Sequence, residues 1–173
     1  DGSDGGGIAA VFGAPEIVDN VSVDNSAGDG GGIWLAKTDA LVVNNVVSGN
    51  LADDQGGARD HDEGQGGGIN VQVGSVGLLV ANNLVTDNEA SAIGGGICVY
   101  EYNAAFGNPQ IVNNTIAWNR IGAGGLGAGL AVWVNTAPVV RNNLVVLNAG
   151  SGVHTHATAL VNGFGTAVTY AYD

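Results

Sequence analysis

Residues 30–50 read Gly30-Gly31-Gly32-Ile33-Trp34-Leu35-Ala36-Lys37-Thr38-Asp39-Ala40-Leu41-Val42-Val43-Asn44-Asn45-Val46-Val47-Ser48-Gly49-Asn50. Three glycines open an apolar run, a second apolar run ends in an Asn pair, and one more Asn stands five residues beyond the pair. The same order returns along the chain. Gly-Gly-Gly-Ile recurs at Gly5 to Ile8, Gly66 to Ile69 and Gly94 to Ile97, relaxes to Gly127-Ala128-Gly129-Leu130, and fades at Gly150 to Val153. The pairs are Asp19-Asn20, Asn44-Asn45, Asn82-Asn83, Asn113-Asn114 and Asn142-Asn143, followed by Asn25, Asn50, Asn88, Asn119 and Asn148. The step from pair to distal Asn is constant, whereas the step from glycines to pair varies. A fixed step beside variable ones marks a rigid corner, with length changes relegated to loops.

Each repeat reads as three short strands: one after the glycines (IWLA, INVQV, ICVY, LAVWV), one entering the pair and one leaving it. β-Branched residues and period-2 alternation support strands, and no segment keeps a helical period. A single coil cannot bury its apolar side, but coils stacked at about 4.8 Å build a continuous core. Alternation puts Ile33, Ile69, Ile97 and Leu130 in one inward column, and Leu35, Val71, Val99 and Val132 in another. Ile17, Val42, Val80, Ile111 and Val140 form the inward column of the second strand. Asn20, Asn45, Asn83, Asn114 and Asn143 should stack as a ladder, because a carboxamide tolerates a turn and both donates and accepts. One all-β domain over residues 1–173 follows, a solenoid of about six coils. The acidic segment 51–65 is an insertion in it, 159–173 a degenerate last coil, and the opening in mid-pattern suggests a piece of a longer chain.

This rhythm, from Gly5 to about Asn162, resembles the right-handed parallel β-helix repeats of the pectin-lyase-like superfamily. Within it the pattern looks most like secreted bacterial β-helix repeat proteins and polymorphic outer-membrane-type passengers. The resemblance implies a right-handed parallel β-helix. It does not single out an activity, since the superfamily holds lyases, hydrolases, epimerases, adhesins and passive stalks.

Composition narrows the function classes. Sixteen acidic against four basic residues give a net charge of −12, which disfavours phosphate backbones and anionic membranes as partners. Such acidity suits an extracellular or cell-surface protein. No apolar run reaches the about 20 residues needed for a membrane-spanning helix. Cys98 is the sole cysteine, so no intrachain disulfide forms.

Three features carry candidate chemistry. If Ile33 and Leu35 point inward, Trp34 points out, and the same logic places Asn70, Gln72, Cys98, Tyr100, Ala131, Trp133, His154 and His156 on one outer face. Exposed aromatics flanked by amides form a surface on which polysaccharide or a cell-surface glycan can bind; the alternative is that loops fold over these rings and make them a satellite core. The acidic insertion supplies Asp53, Asp54, Asp60, Asp62 and Glu63, oxygen ligands of the kind calcium needs. His154 and His156 make two outward imidazoles without an evident third metal ligand. A catalytic set is not visible: the basic residues are Lys37, Arg59, Arg120 and Arg141, and the strands are nearly free of carboxylates. A polysaccharide-binding or adhesin module through the aromatic face is the first expectation. A structural stalk or fibre, with end-to-end self-association, is the second. The third is a calcium-dependent polysaccharide lyase or glycoside hydrolase.

Overall fold

The computed structural model describes residues 4–53, 64–72, 77–100, 108–133 and 138–150, together with the backbone of 160–162 and 169–171. The glycine-led strands Ile8–Val11, Ile33–Ala36, Ile69–Gln72, Ile97–Tyr100 and Leu130–Trp133, followed by Leu160–Asn162, which no glycine triplet precedes, pair in that order into a parallel sheet. The five strands entering the Asn pairs form a second sheet with Thr169–Ala171 as its sixth strand, and those leaving the pairs a third of five. A fourth sheet of two-residue strands, such as Ser26–Ala27, Leu51–Ala52 and Glu89–Ala90, follows the distal Asn. The chain thus winds as a parallel β-helix, and each coil has four strands rather than the three expected. Two residues are too few to show a period of two, so the fourth was not readable.

Register follows the repeat. Ile33 pairs with Ile69 and Ile69 with Ile97, which pairs with Leu130; Val42 pairs with Val80 and Val80 with Ile111. These residues form one interior cluster with Leu35, Val47, Val71, Val85, Val99 and Ile116. A one-residue slip would turn this whole set outward, so burial fixes the register.

Both corners are held by carboxamides. At the first, the side-chain oxygen of Asn83 accepts from the backbone N–H and the amide of Asn45, each at 2.9 Å. The amide of Asn83 donates to Val42 O at 3.0 Å and to the next rung, Asn114, at 2.9 Å. At the second corner Asn88 accepts from the backbone N–H of Asn50 at 3.0 Å and its amide at 2.9 Å, and donates to Val47 O and Asn119. The distal Asn therefore form a second ladder equal to the first. Only a side chain with donor and acceptor can satisfy two coils at once where the backbone leaves the sheet. Successive rungs of the first ladder lie 25, 38, 31 and 29 residues apart, so all length variation is absorbed away from the corners.

The residue before each rung has positive φ: Asp19, Asn44, Asn82, Asn113 and Asn142 at the first corner, and Asp24, Gly49, Asp87, Trp118 and Leu147 at the second. The Asn pair is thus a division of labour, one residue for the left-handed bend and one for the ladder. Asn, Asp and Gly tolerate this region; a bulky side chain there costs about 1–2 kcal/mol.

The glycines are explained by close approach. A Cβ on Gly68 would lie 2.6 Å from Gly96 O and 2.9 Å from the amide nitrogen of Asn88. Gly32 and Gly96 stand in the same relation to Asn50 and Asn119. The last glycine of each triplet leaves room for a rung of the second ladder, which ties the two sequence signals to one contact.

Candidate functional site

The second and fourth residues of each glycine-led strand point away from the interior. Trp34, Asn70, Cys98 and Ala131 line up across coils, and Ala36, Gln72, Tyr100 and Trp133 form the neighbouring column. That juxtaposition is the one expected from alternation. Of the two outcomes left open for its exposure, the structure has the covered one.

Tyr100 is only 2% exposed, and Asn70, Cys98 and Ala131 are fully enclosed, while Trp34, Gln72 and Trp133 remain partly accessible. The open aromatic platform is therefore a covered one. The cause lies in the first glycine of each triplet. Gly30, Gly66, Gly94 and Gly127 have φ between 61° and 71°, and this bend folds the preceding chain back over the strand. A Cβ on Gly66 would lie 2.6 Å from that of Asn70, and one on Gly94 2.7 Å from that of Cys98. The residues before the glycines, Asp29, Gln65, Ile93 and Leu126, form a covering row. Gln65 N–H donates to the Asp29 carboxylate at 2.9 Å, and Gln65, Ile93 and Leu126 are joined by parallel bridges. Ile93 packs with Cys98, Tyr100 and Ala131 into a satellite core against which Trp133 rests.

Beneath this cover the chemistry is polar at one end and apolar at the other. Asp29 and Gln65 are both buried. The Cys98 thiol donates weakly to Gln65 Oε1 at 3.8 Å. Burial pushes the pKa of that thiol well up, and the negative charge of Asp29 adds to the shift, so it stays protonated and unreactive. Among the described residues neither Nδ2 nor Oδ1 of Asn70 has a hydrogen-bond partner, nor does the indole Nε1 of Trp34 on the adjacent coil. Two neighbouring side chains thus hold unused donors and an acceptor inside a closed groove, an arrangement that costs free energy and is rare in folded proteins.

Other expected site residues are placed less fully. Asp53 is partly buried, and its backbone N–H donates to Ala27 O at 3.0 Å. Asp54, Asp60, Asp62 and Glu63 lie outside the described residues, as do His154, His156 and Arg59. Among the described residues, no group of three or more His, Cys, Asp or Glu could hold a metal ion. Lys37 places its ammonium 5.8 Å from the centroid of the Phe12 ring, and Arg141 donates to Gln110 on the second sheet at 3.3 Å. No helix among the described residues is long and apolar enough to cross a membrane.

Sequence reasoning missed one exposed surface. Trp118 and Leu147 are 53% and 67% exposed at the second corner. The signal was in the repeat: the residue before the distal Asn is Asp24, Gly49 and Asp87 in three coils and then Trp118 and Leu147.

No match was found among curated proteins or among solved structures. The family model described as "Right handed beta helix region" matches residues 1–116 of the 173. With its parallel sheets stacked coil upon coil, this chain belongs to the right-handed β-helix family.

Proposed function

We propose that this β-helix is a non-catalytic, extracellular or cell-surface module that binds polysaccharide along the outer side of its first sheet. The observation that carries the reading is the unpaired polar group of Trp34 Nε1 and the Asn70 carboxamide, side by side on adjacent coils. A single hydroxyl could accept from the indole or amide N–H and donate to Asn70 Oδ1. A sugar hydroxyl reaches these atoms only when the covering row of Asp29, Gln65 and Ile93 moves aside, since they are closed to solvent. The acidic charge of −12 favours a neutral glycan over a polyanion.

Asn70→Leu tests this directly, with stability and binding read separately. The variant removes an unsatisfied buried amide at similar volume, so its thermal midpoint should rise, by about 1–3 kcal/mol in free energy. Its binding to a panel of neutral oligosaccharides should weaken by about tenfold. A midpoint that falls, with binding unchanged, would show that the amide serves the scaffold through an enclosed water and would end this reading.

A second reading, a ligand-free structural stalk, is favoured by the satellite core of Ile93, Cys98, Tyr100 and Ala131, which closes most of that face. Failure of every neutral glycan to bind would favour it.

A further inference from the structure

The groove over the first sheet is closed, so part of its cover has to move before a ligand enters. The backbone of the cover is tied from coil to coil. Gly30 N–H donates to Gln65 O at 2.9 Å, Gly66 N–H to Ile93 O at 2.8 Å and Gly94 N–H to Leu126 O at 2.9 Å. Gly64 N–H donates to Gly28 O, and Gly64 O accepts from Ala92 N–H, both at 2.9 Å. Lifting the row as a whole would break several of these bonds together, each leaving a donor and an acceptor unmet. The glycines on either side of Gln65 are fixed as well. Gly64 and Gly66 have φ of 79° and 64°; a Cβ on the first would collide with Ser91 Oγ, and one on the second would lie 2.6 Å from that of Asn70. With the backbone held, the side chains are what can move.

They differ in what movement costs. Ile93 is enclosed with Cys98, Tyr100 and Ala131, and swinging it out would put an apolar side chain into water. Asp29 accepts the Gln65 backbone N–H at 2.9 Å, and moving it would orphan that donor inside the cover. Gln65 is 1% exposed, yet its carboxamide both donates and accepts, so water can satisfy it outside. Its Oε1 lies 3.8 Å from the Cys98 thiol, a weak donor. Cys98 is the register partner of Asn70, and Gln65 stands in the coil of Asn70, so its side chain reaches across that pair.

We propose that the Gln65 side chain is the gate of the groove: it turns outward while the backbone of the covering row stays in place, and so admits a ligand hydroxyl to Asn70. That the ligand is a neutral glycan rests on the proposed function; the movement itself does not, and Cys98 beneath the gate reports it without any ligand.

The test uses the whole chain. Gln65→Ala removes the gate and keeps the backbone N–H that Asp29 accepts. A gate open in at most about a tenth of molecules hides both thiol and site by that fraction. Cys98 in Gln65→Ala should therefore react with iodoacetamide about tenfold faster than in the parent or more, and neutral cello- and xylo-oligosaccharides should bind more tightly by the same factor. Amide exchange at Gly30, Gly66 and Gly94 should stay as slow as in the parent. Gln65→Leu keeps the bulk without a group suited to water, so it should label more slowly than the parent. Labelling that does not accelerate in Gln65→Ala overturns the gate, whether or not glycans bind, as does labelling of Gln65→Leu at the parent's rate or above. Acceleration with fast exchange of the three amides overturns it too, because the row then opens as backbone. Acceleration with an affinity that stays at the parent's value overturns the gate as the ligand's way in. Acceleration with slow amides, in proteins that bind no glycan with or without Gln65, supports the gate and ends the glycan reading.

Discussion

The two corners of the solenoid have the same hydrogen-bonding scheme but different sequence constraints. At each, one residue bends the chain through positive φ and the next stacks its carboxamide between coils. At the first corner the bending residue is Asp or Asn in all five coils: Asp19, Asn44, Asn82, Asn113 and Asn142. At the second it is Asp24, Gly49 and Asp87, then Trp118 and Leu147. Rungs must satisfy two coils, and those of the middle coils are buried, so they do not vary. Bending residues face water, so only backbone preference restrains them, at about 1–2 kcal/mol. That restraint is small enough to be overridden where a side chain is wanted at the surface. The second corner therefore shows where the scaffold ends and a use for the surface begins.

Breaking a rung should give the largest effect. Asn83→Leu takes the side-chain acceptor from the Asn45 N–H and amide and the side-chain donor from Val42 O and Asn114 Oδ1, which keeps only the backbone N–H of residue 83, and should cost about 3 kcal/mol in a urea titration. Asn88→Leu, its counterpart at the second corner, should cost about the same. A difference of more than about a factor of two would mean the corners are not equivalent supports.

Exchanging bending residues sharpens the contrast at smaller scale. Trp118→Asn and Leu147→Asn should each raise stability by about 1 kcal/mol, whereas Asn82→Leu at the first corner should lower it by a similar amount. Were Trp118→Asn destabilising, the indole would be part of the fold rather than an addition to it.

The smallest effect concerns Cys98 in the covered groove. Its thiol should resist alkylation in the native protein at mildly alkaline pH and react once the chain unfolds. Because the folded pKa is raised, the thiol's contribution to stability is complete below the ordinary thiol range and is lost as pH climbs through it towards the folded value. Cys98→Ala should flatten that alkaline decline. Rapid native-state labelling would mean that the cover formed by Asp29, Gln65 and Ile93 opens readily.

The sequence by itself determined the scaffold. The Gly-Gly-Gly-Ile triplets, Asn pairs and distal Asn are each demanded by one contact that repeats in every coil, so repetition makes them legible. The inward columns, such as Ile33-Ile69-Ile97-Leu130, follow from alternation alone, because burial on one side leaves a period of two. What only the tertiary structure decided is which outward residues meet water. Alternation assigned Tyr100 to the outside and left open whether it would be covered; that the left-handed Gly94 carries Ile93 over it was decided by the tertiary structure. It likewise gave no weight to Trp118, whose exposure depends on a bend shared by its neighbours but rarely adopted by its residue type. The inside of a solenoid is a property of one strand's period. Its outside is a property of how neighbouring turns fold across it, and that is fixed only when the coils are stacked.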